Sequence, residues 1–246
     1  FIASPGCSLV VGDYAGQELR VAAHVSQDGK LILVFTKNLD PHLTTANAVF
    51  KLGIPAEALC TKHPDYEKYK KKFKYERDVG KNGVNFAIVY GTTPVGMAAN
   101  LNITEAKAKE YIDTFYETYP GVKRAVFDVI KQVNNRGFVK SLTGRRRRLE
   151  AHNFRSFRQG FNFIIQGLCS DMVRKAATGV RKLFLLKPRW GGKLLLTVHD
   201  ELVCEVKDEF VAEAKVEIKR VMENAMRLSV PMEVDINSGK RYNEAK

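Results

Sequence analysis

Ser8-Leu-Val-Val-Gly-Asp13-Tyr-Ala-Gly-Gln-Glu-Leu-Arg20 is an apolar run of strand length that stops on a carboxylate. A second stretch of the same kind, Leu194-Leu-Leu-Thr-Val-His-Asp200-Glu-Leu-Val-Cys-Glu-Val206, lies far along the chain. A strand can bury its apolar residues, but a carboxylate at its end must meet water, a cation or a metal, because an unpaired buried charge is costly. Two such carboxylates brought side by side repel unless something divalent sits between them. Paired carboxylates at strand ends are the arrangement of a two-metal phosphoryl-transfer site, in which Mg²⁺ ions about 3.5–4 Å apart clamp attacking and leaving oxygens. An Asp facing solvent at a strand end is the ordinary alternative for either residue taken alone.

Composition narrows the partner. The 246 residues are 45% hydrophobic, enough for a sizeable core in one large domain or two small ones. The formal net charge of +13 points to a polyanion, and nucleic acid is the commonest one for a basic protein. The positive charge gathers at Lys68 to Lys74 and Arg145 to Arg148 rather than spreading evenly. Cys7, Cys60, Cys169 and Cys204 lack metal-type spacing and read as free thiols of a reducing compartment. No apolar stretch reaches about 18 residues and no secretory signal pattern opens the chain, so the expectation is a soluble intracellular protein, with cytoplasm, nucleoid and organelle matrix all open. The chain starts directly on a strand, which suggests a piece of something larger.

Hydrophobic spacing gives the element order. Glu18 to Ser26 reads as a short helix, and Leu31 to Phe35 is ambiguous between helix and strand. Apolar residues at three and four spacings mark helices over Thr44 to Leu52, Tyr66 to Tyr90, Thr104 to Tyr119 and Val122 to Asn134. Gly137 to Gly144 reads as an extended pair closed at Thr143-Gly144, and Ser156 to Leu186 as one long helix with a kink near Gly167 or Gly179. Lys193 to Val206 is a hairpin turning at His199-Asp200, Asp208 to Arg227 an amphipathic helix, and Met232 to Ile236 a final strand. The fold class is α+β: an antiparallel sheet with flanking helices and a large helical insertion.

Several constellations in this order resemble one known family. Asp13-Tyr-Ala-Gly-Gln-Glu18-Leu-Arg20 is similar to motif A of the family A, polymerase I-like DNA polymerases, Arg77 to Gly91 to motif B, and Val198-His-Asp-Glu201 to motif C. Asp40-Pro-His42, Tyr119-Pro-Gly-Val122, Gly144-Arg-Arg, the helix residues Arg158, Asn162, Gln166 and Asp171, and the closing Gly239-Lys-Arg-Tyr-Asn-Glu-Ala245 extend the likeness over nearly the whole chain. The resemblance implies a palm over residues 1–22 and 152–246 and fingers over 23–151. The family's thumb, first palm segment and exonuclease domain are absent from these residues, which implies weak, distributive synthesis, or a thumb and exonuclease supplied by an upstream segment or a second chain.

The site residues follow from the same resemblance. Asp13 and Asp200 are the implied catalytic ligands of two Mg²⁺ ions, with the carbonyl of Tyr14 as a further ligand. Glu201 is either a helper near the metals or a salt-bridge partner. Addition of dNMP from a dNTP to a primer 3′-hydroxyl, with pyrophosphate released, makes primer-template DNA and dNTPs the implied partners. Glu18 closes the space beside the sugar C2′ against a ribonucleotide hydroxyl, Tyr90 packs on it, and Phe86 lies under the sugar. Gln17, His42, Arg77 and Lys81 complete the nucleotide contacts, Lys81 also serving as general acid for pyrophosphate. Arg158, Asn162 and Gln166 recur every four residues and line one helix face suited to the minor groove. His199, Arg145 and Arg146 are the remaining implied DNA contacts.

Motif B departs from the family by one residue. Family members place the cation eight residues before the tyrosine, whereas Lys81 lies nine before Tyr90, which on an ideal helix is a rotation of about 900° and puts the two on opposite faces. A one-residue π-bulge near Gly83 restores the register; otherwise Asn82 takes the cation's place. The four-residue spacing of Arg77 and Lys81 favours the bulge. Gly16-Gln17 in motif A and Thr197 before motif C are further departures, the latter standing where the family has a glutamine and leaving one template or primer contact open. A single-subunit RNA polymerase is the rival enzyme, opposed by Glu18. A non-catalytic nucleic-acid-binding module is the rival of another class, opposed by the joint presence of Asp13, Asp200, Arg77 and Lys81.

Overall fold

The computed structural model describes residues 1–246. In chain order the elements are β1 (Cys7–Tyr14), α1 (Gln17–Ser26), α2 (Gly29–Thr36), α3 (Pro41–Phe50), α4 (Tyr66–Lys72), α5 (Lys74–Asp78), a π-helical turn Val79–Phe86, α6 (Ala87–Val89), α7 (Pro94–Leu101), α8 (Glu105–Thr118) and α9 (Pro120–Arg136). There follow β2 (Phe138–Lys140), β3 (Arg146–Arg148), α10 (Phe154–Leu186), β4 (Lys193–Val198), β5 (Glu201–Lys207), α11 (Val211–Glu223) and β6 (Val234–Gly239). The chain divides into two compact units, Phe1–Gln17 with Leu168–Lys246, and Glu18–Gly167.

The first unit is built on a four-stranded antiparallel sheet ordered β4-β5-β1-β6. The two inner strands, β1 and β5, are buried along nearly their whole length, whereas the apolar run Leu194 to Val198 forms the outer strand β4, of which alternate residues are exposed. Helix α11 buries Ala214, Ile218 and Met222, one residue per turn, against them. Gly12 is required by that packing, because a Cβ there would lie 2.7 Å from the Met222 sulfur. Helix α11 begins later and ends earlier than the apolar pattern predicts: Asp208–Phe210 forms a separate 3₁₀ turn. Strand β6 is shifted a few residues later, because it pairs with β1 from Leu9↔Gly239 to Tyr14↔Val234.

In the second unit the ambiguous run at Leu31 is helix α2. The reason is its start: Asp28 accepts from the Leu31 backbone N–H at 2.9 Å as an N-cap. Its other oxygen accepts from the Gly121 N–H at 2.6 Å, tying the start of α2 to the start of α9. Leu43, Ile54, Ala58, Leu59 and Tyr66 form a cluster beneath α3 and α4. The extended pair differs from its sequence reading: Phe138–Lys140 pairs with Arg146–Arg148, so the turn spans Ser141 to Arg145 and the arginines themselves form a strand. Helix α10 runs unbroken for 33 residues through both glycines named above. Gly179 allows close packing, since a Cβ would lie 2.7 Å from Val221 Cγ1.

Candidate active site

Sheet register gathers carboxylates at one end of the first unit. Asp13, next to last in β1, is paired across the ladder with Glu201 of β5 on one side and Asp235 of β6 on the other. Asp200 sits in the two-residue turn between β4 and β5, beside the left-handed His199 at φ +54°. Asp13 Oδ1 is buried and accepts no hydrogen bond. Burial first, then the charges of Asp200 and Glu201, push the Asp13 carboxyl up to about 6, against an opposing pull from Lys246. Glu201 is treated differently: it accepts from the Tyr242 hydroxyl, and its Oε2 lies 3.1 Å from Lys246 Nζ.

A hard-oxygen donor set with one orphaned buried oxygen fits a divalent cation such as Mg²⁺. The side chains do not by themselves close a three-ligand cage. Tyr14, whose carbonyl the sequence reading offered as a ligand, pairs with Val234 in the ladder and donates its hydroxyl to the Met222 carbonyl at 2.7 Å. Gln17, read as a nucleotide contact, is buried in this unit. Its amide reaches the Cys169 carbonyl at 3.4 Å and the Met172 sulfur at 3.5 Å.

The second unit gathers cations around a buried acid. Asp40 caps α3, with Oδ1 accepting from the N–H groups of His42 and Leu43 at 2.9 and 3.1 Å. Its Oδ2 accepts from Tyr66 Oη at 2.8 Å and Arg77 Nε at 2.6 Å. Burial raises the Asp40 carboxyl, but Arg77, Leu43 and Tyr66 outweigh it and hold it below the usual carboxylate range. His42 stands next to this pair, its Nδ1 3.1 Å from Asn85 Nδ2 and its ring 5.9 Å from that of Phe86. Burial lowers His42 to about 4, opposed by Asp40 and assisted by the nearby charges of Arg77 and Lys81.

The π-helical turn carries Lys81, Asn82 and Phe86. It falls where the register argument placed the bulge, and it spans a full eight residues. Lys81 is half-buried and close enough to bear on His42, while Asn82 is exposed. Gly83 and Gly80 leave no room for a side chain: a Cβ would meet Leu101 Cδ2 at 2.6 Å and the His42 carbonyl at 2.7 Å. Just beyond, Tyr90 Oη donates to the Glu18 carboxylate, at 2.9 and 2.8 Å from its two oxygens, and Gln166 Nε2 reaches the same carboxylate at 3.4 Å.

Residues 1–244 match the model of DNA polymerase family A. The chain belongs to DNA polymerase family A. Among its relatives, DNA polymerase I of Lactococcus lactis subsp. lactis is 38% identical over the whole chain, and the thermostable DNA polymerase I of Thermus filiformis 36%. The chain spans 27% and 28% of their lengths. The polymerase domain of Pol1 from M. smegmatis, solved in complex with DNA primer-template and dNTP, superposes with a TM-score of 0.80 at 27% identity, over 100% of this chain and 42% of that one.

In this family A chain the expected DNA contacts are mostly exposed. Arg158 and Gln166 lie at the surface of α10, and Asn162 between them keeps a buried Oδ1 without a partner. Arg158 packs against Gly91, where a Cβ would come within 2.9 Å of it. Arg145 and Arg146 are exposed, Arg146 lying 5.1 Å over the Phe138 ring, and His199 is exposed in its turn. Sequence reasoning passed over Asp40, Tyr66 and Asn85 as site residues. The Asp40-Pro-His42 pattern signals a cap, but nothing local announces partners 26 and 37 residues away.

Proposed function

We propose that the chain carries the catalytic portion of a template-directed DNA polymerase, which adds dNMP to a primer 3′-hydroxyl and releases pyrophosphate. The observation that carries this reading is the buried, hydrogen-bond-free oxygen of Asp13 beside Asp200, in a chain of this family. Asp13 and Asp200 would hold two Mg²⁺ ions. Bound there, such ions lower the pKa of the attacking hydroxyl and neutralise charge on the phosphates.

The remaining roles belong to the chain's own side chains. Arg77 and Lys81 bind the triphosphate, and the bond from Asp40 holds the Arg77 guanidinium in place for it. His42, neutral above about pH 4, offers that triphosphate a hydrogen bond rather than a charge. Lys81 gives the proton that leaves with pyrophosphate. Phe86 supports the sugar, and Glu18, fixed by Tyr90, excludes a 2′-hydroxyl. Arg158, Asn162, Gln166, Arg145, Arg146 and His199 contact primer-template DNA. We assign the palm to residues 1–22 and 152–246 and the fingers to 23–151, and propose that a thumb-bearing segment, upstream or on a separate chain, completes the grip on DNA.

Primed-template extension with dNTPs and Mg²⁺ tests the proposal. Extension by the chain, alone or with the thumb-bearing portion of a relative, is the expected result, with Asp200→Asn lowering the rate about 1000-fold or more. Extension that survives Asp200→Asn unchanged overturns it.

A further inference from the structure

Glu201 is adjacent in sequence to Asp200 and in register with Asp13, yet its charge is already spent. Its side chain is 4% exposed, and it is held by two groups of one segment, the Tyr242 hydroxyl and the Lys246 ammonium, whose Nζ also lies 3.5 Å from Tyr242 Oη and over its ring. That segment is fixed. Ala245 is 1% exposed in a cluster with Leu9, Val11 and Val203, and Lys240 and Arg241 donate their N–H groups to Glu244 at 3.0 and 3.1 Å. Gly239 lets the turn close, since a Cβ there would lie 2.7 Å from Glu244 Cβ. Tyr242 and Lys246 therefore face Glu201 because the backbone between them is anchored in the core.

We propose that Tyr242 and Lys246 are positioning residues that hold Glu201 away from the cation, leaving Asp13 and Asp200 as its carboxylate ligands. The inference rests on the metal pair of the proposed function. Asp200, Glu201 and Asp235 all lie near Asp13 at the strand ends, and a Glu201 released from its partners would offer the cation a further ligand of full charge, binding it more tightly and altering its geometry. The clamp supplies Glu201 with an ammonium and a hydroxyl in place of the metal. Removing partners that orient a metal's ligands costs about tenfold or more in affinity, and a partner that instead withholds a carboxylate acts by a similar amount in the opposite sense.

The test is a double-mutant cycle read by Mn²⁺ binding, followed by electron paramagnetic resonance of the free ion. In the parent chain, Glu201→Gln changes the Mn²⁺ dissociation constant by less than about twofold. In a Tyr242→Phe, Lys246→Met background, Mn²⁺ binds about tenfold more tightly, and Glu201→Gln then abolishes that gain. Lys246→Met alone carries the same comparison if the double variant fails to fold. Equal weakening by Glu201→Gln in both backgrounds overturns the clamp. Asp13→Asn separates the two readings: parent Mn²⁺ binding that it leaves intact counts against the metal pair itself, and the clamp falls with it.

Discussion

Asp40 and Asp13 both sit at the end of an element with little access to water, yet one is saturated with donors and the other is left wanting. Asp40 receives two backbone N–H groups, a tyrosine hydroxyl and a guanidinium, and its carboxyl is held down. Asp13 has an oxygen with no donor and three acidic neighbours, and its carboxyl is pushed up to about 6. A saturated buried acid stabilises the fold and fixes its partners; an unsaturated one costs stability and is kept for a ligand. Glu18 is intermediate, held by the neutral donors of Tyr90 and Gln166.

Removing the acids separates these classes. Asp40→Ala should cost about 4 kcal/mol in urea unfolding, because it strands the Arg77 charge and uncaps α3. A loss below about 1 kcal/mol would show that Asp40 is not the keystone of its cluster. Glu18→Ala should leave folding nearly unchanged and instead reduce discrimination between dNTP and rNTP about a hundredfold in single-nucleotide incorporation. Tyr90→Phe, which keeps the ring and loses only the hydroxyl, should have a smaller effect in the same direction.

The saturated cluster also has a pH signature. Folded His42 takes a proton only near pH 4, whereas the unfolded imidazole takes one at about 6.5, so the unfolded state binds more protons between those values. Stability should therefore fall as pH drops from about 6.5 toward 4, by on the order of 2 kcal/mol, and His42→Gln should flatten that part of the profile in urea unfolding. An unchanged slope in His42→Gln would place the titration elsewhere.

Legibility in the sequence follows the same divide. Asp13 and Asp200 stand out because each interrupts an apolar run, and the tight turn at His199-Asp200 is set by the strands around it. The π-turn is legible through a count against the family, nine residues from Lys81 to Tyr90 where the family has eight. Asp28 and Asp40 look alike as local caps, and only their second oxygens differ, one on Gly121 and the other on Tyr66 and Arg77. Glu201 was open between metal and salt bridge because its partners lie at Tyr242 and Lys246, beyond an intervening helix and strand. Local pattern carries the elements and the unsatisfied charges; the satisfying partners are long-range, and only folding brings them in.

The smallest expected shift in stability prepares the sharpest experiment. In metal-free buffer at pH 7, Asp13→Asn should stabilise the chain by about 1 kcal/mol once partial exposure is allowed for, since it removes a charge that burial and its neighbours oppose. Loss of function in this variant is then not loss of fold. The direct measurement is primer extension by Asp13→Asn under conditions where the parent chain, completed as above, extends. The account predicts a folded protein with extension reduced about 1000-fold or more. Extension within about tenfold of the parent would contradict it.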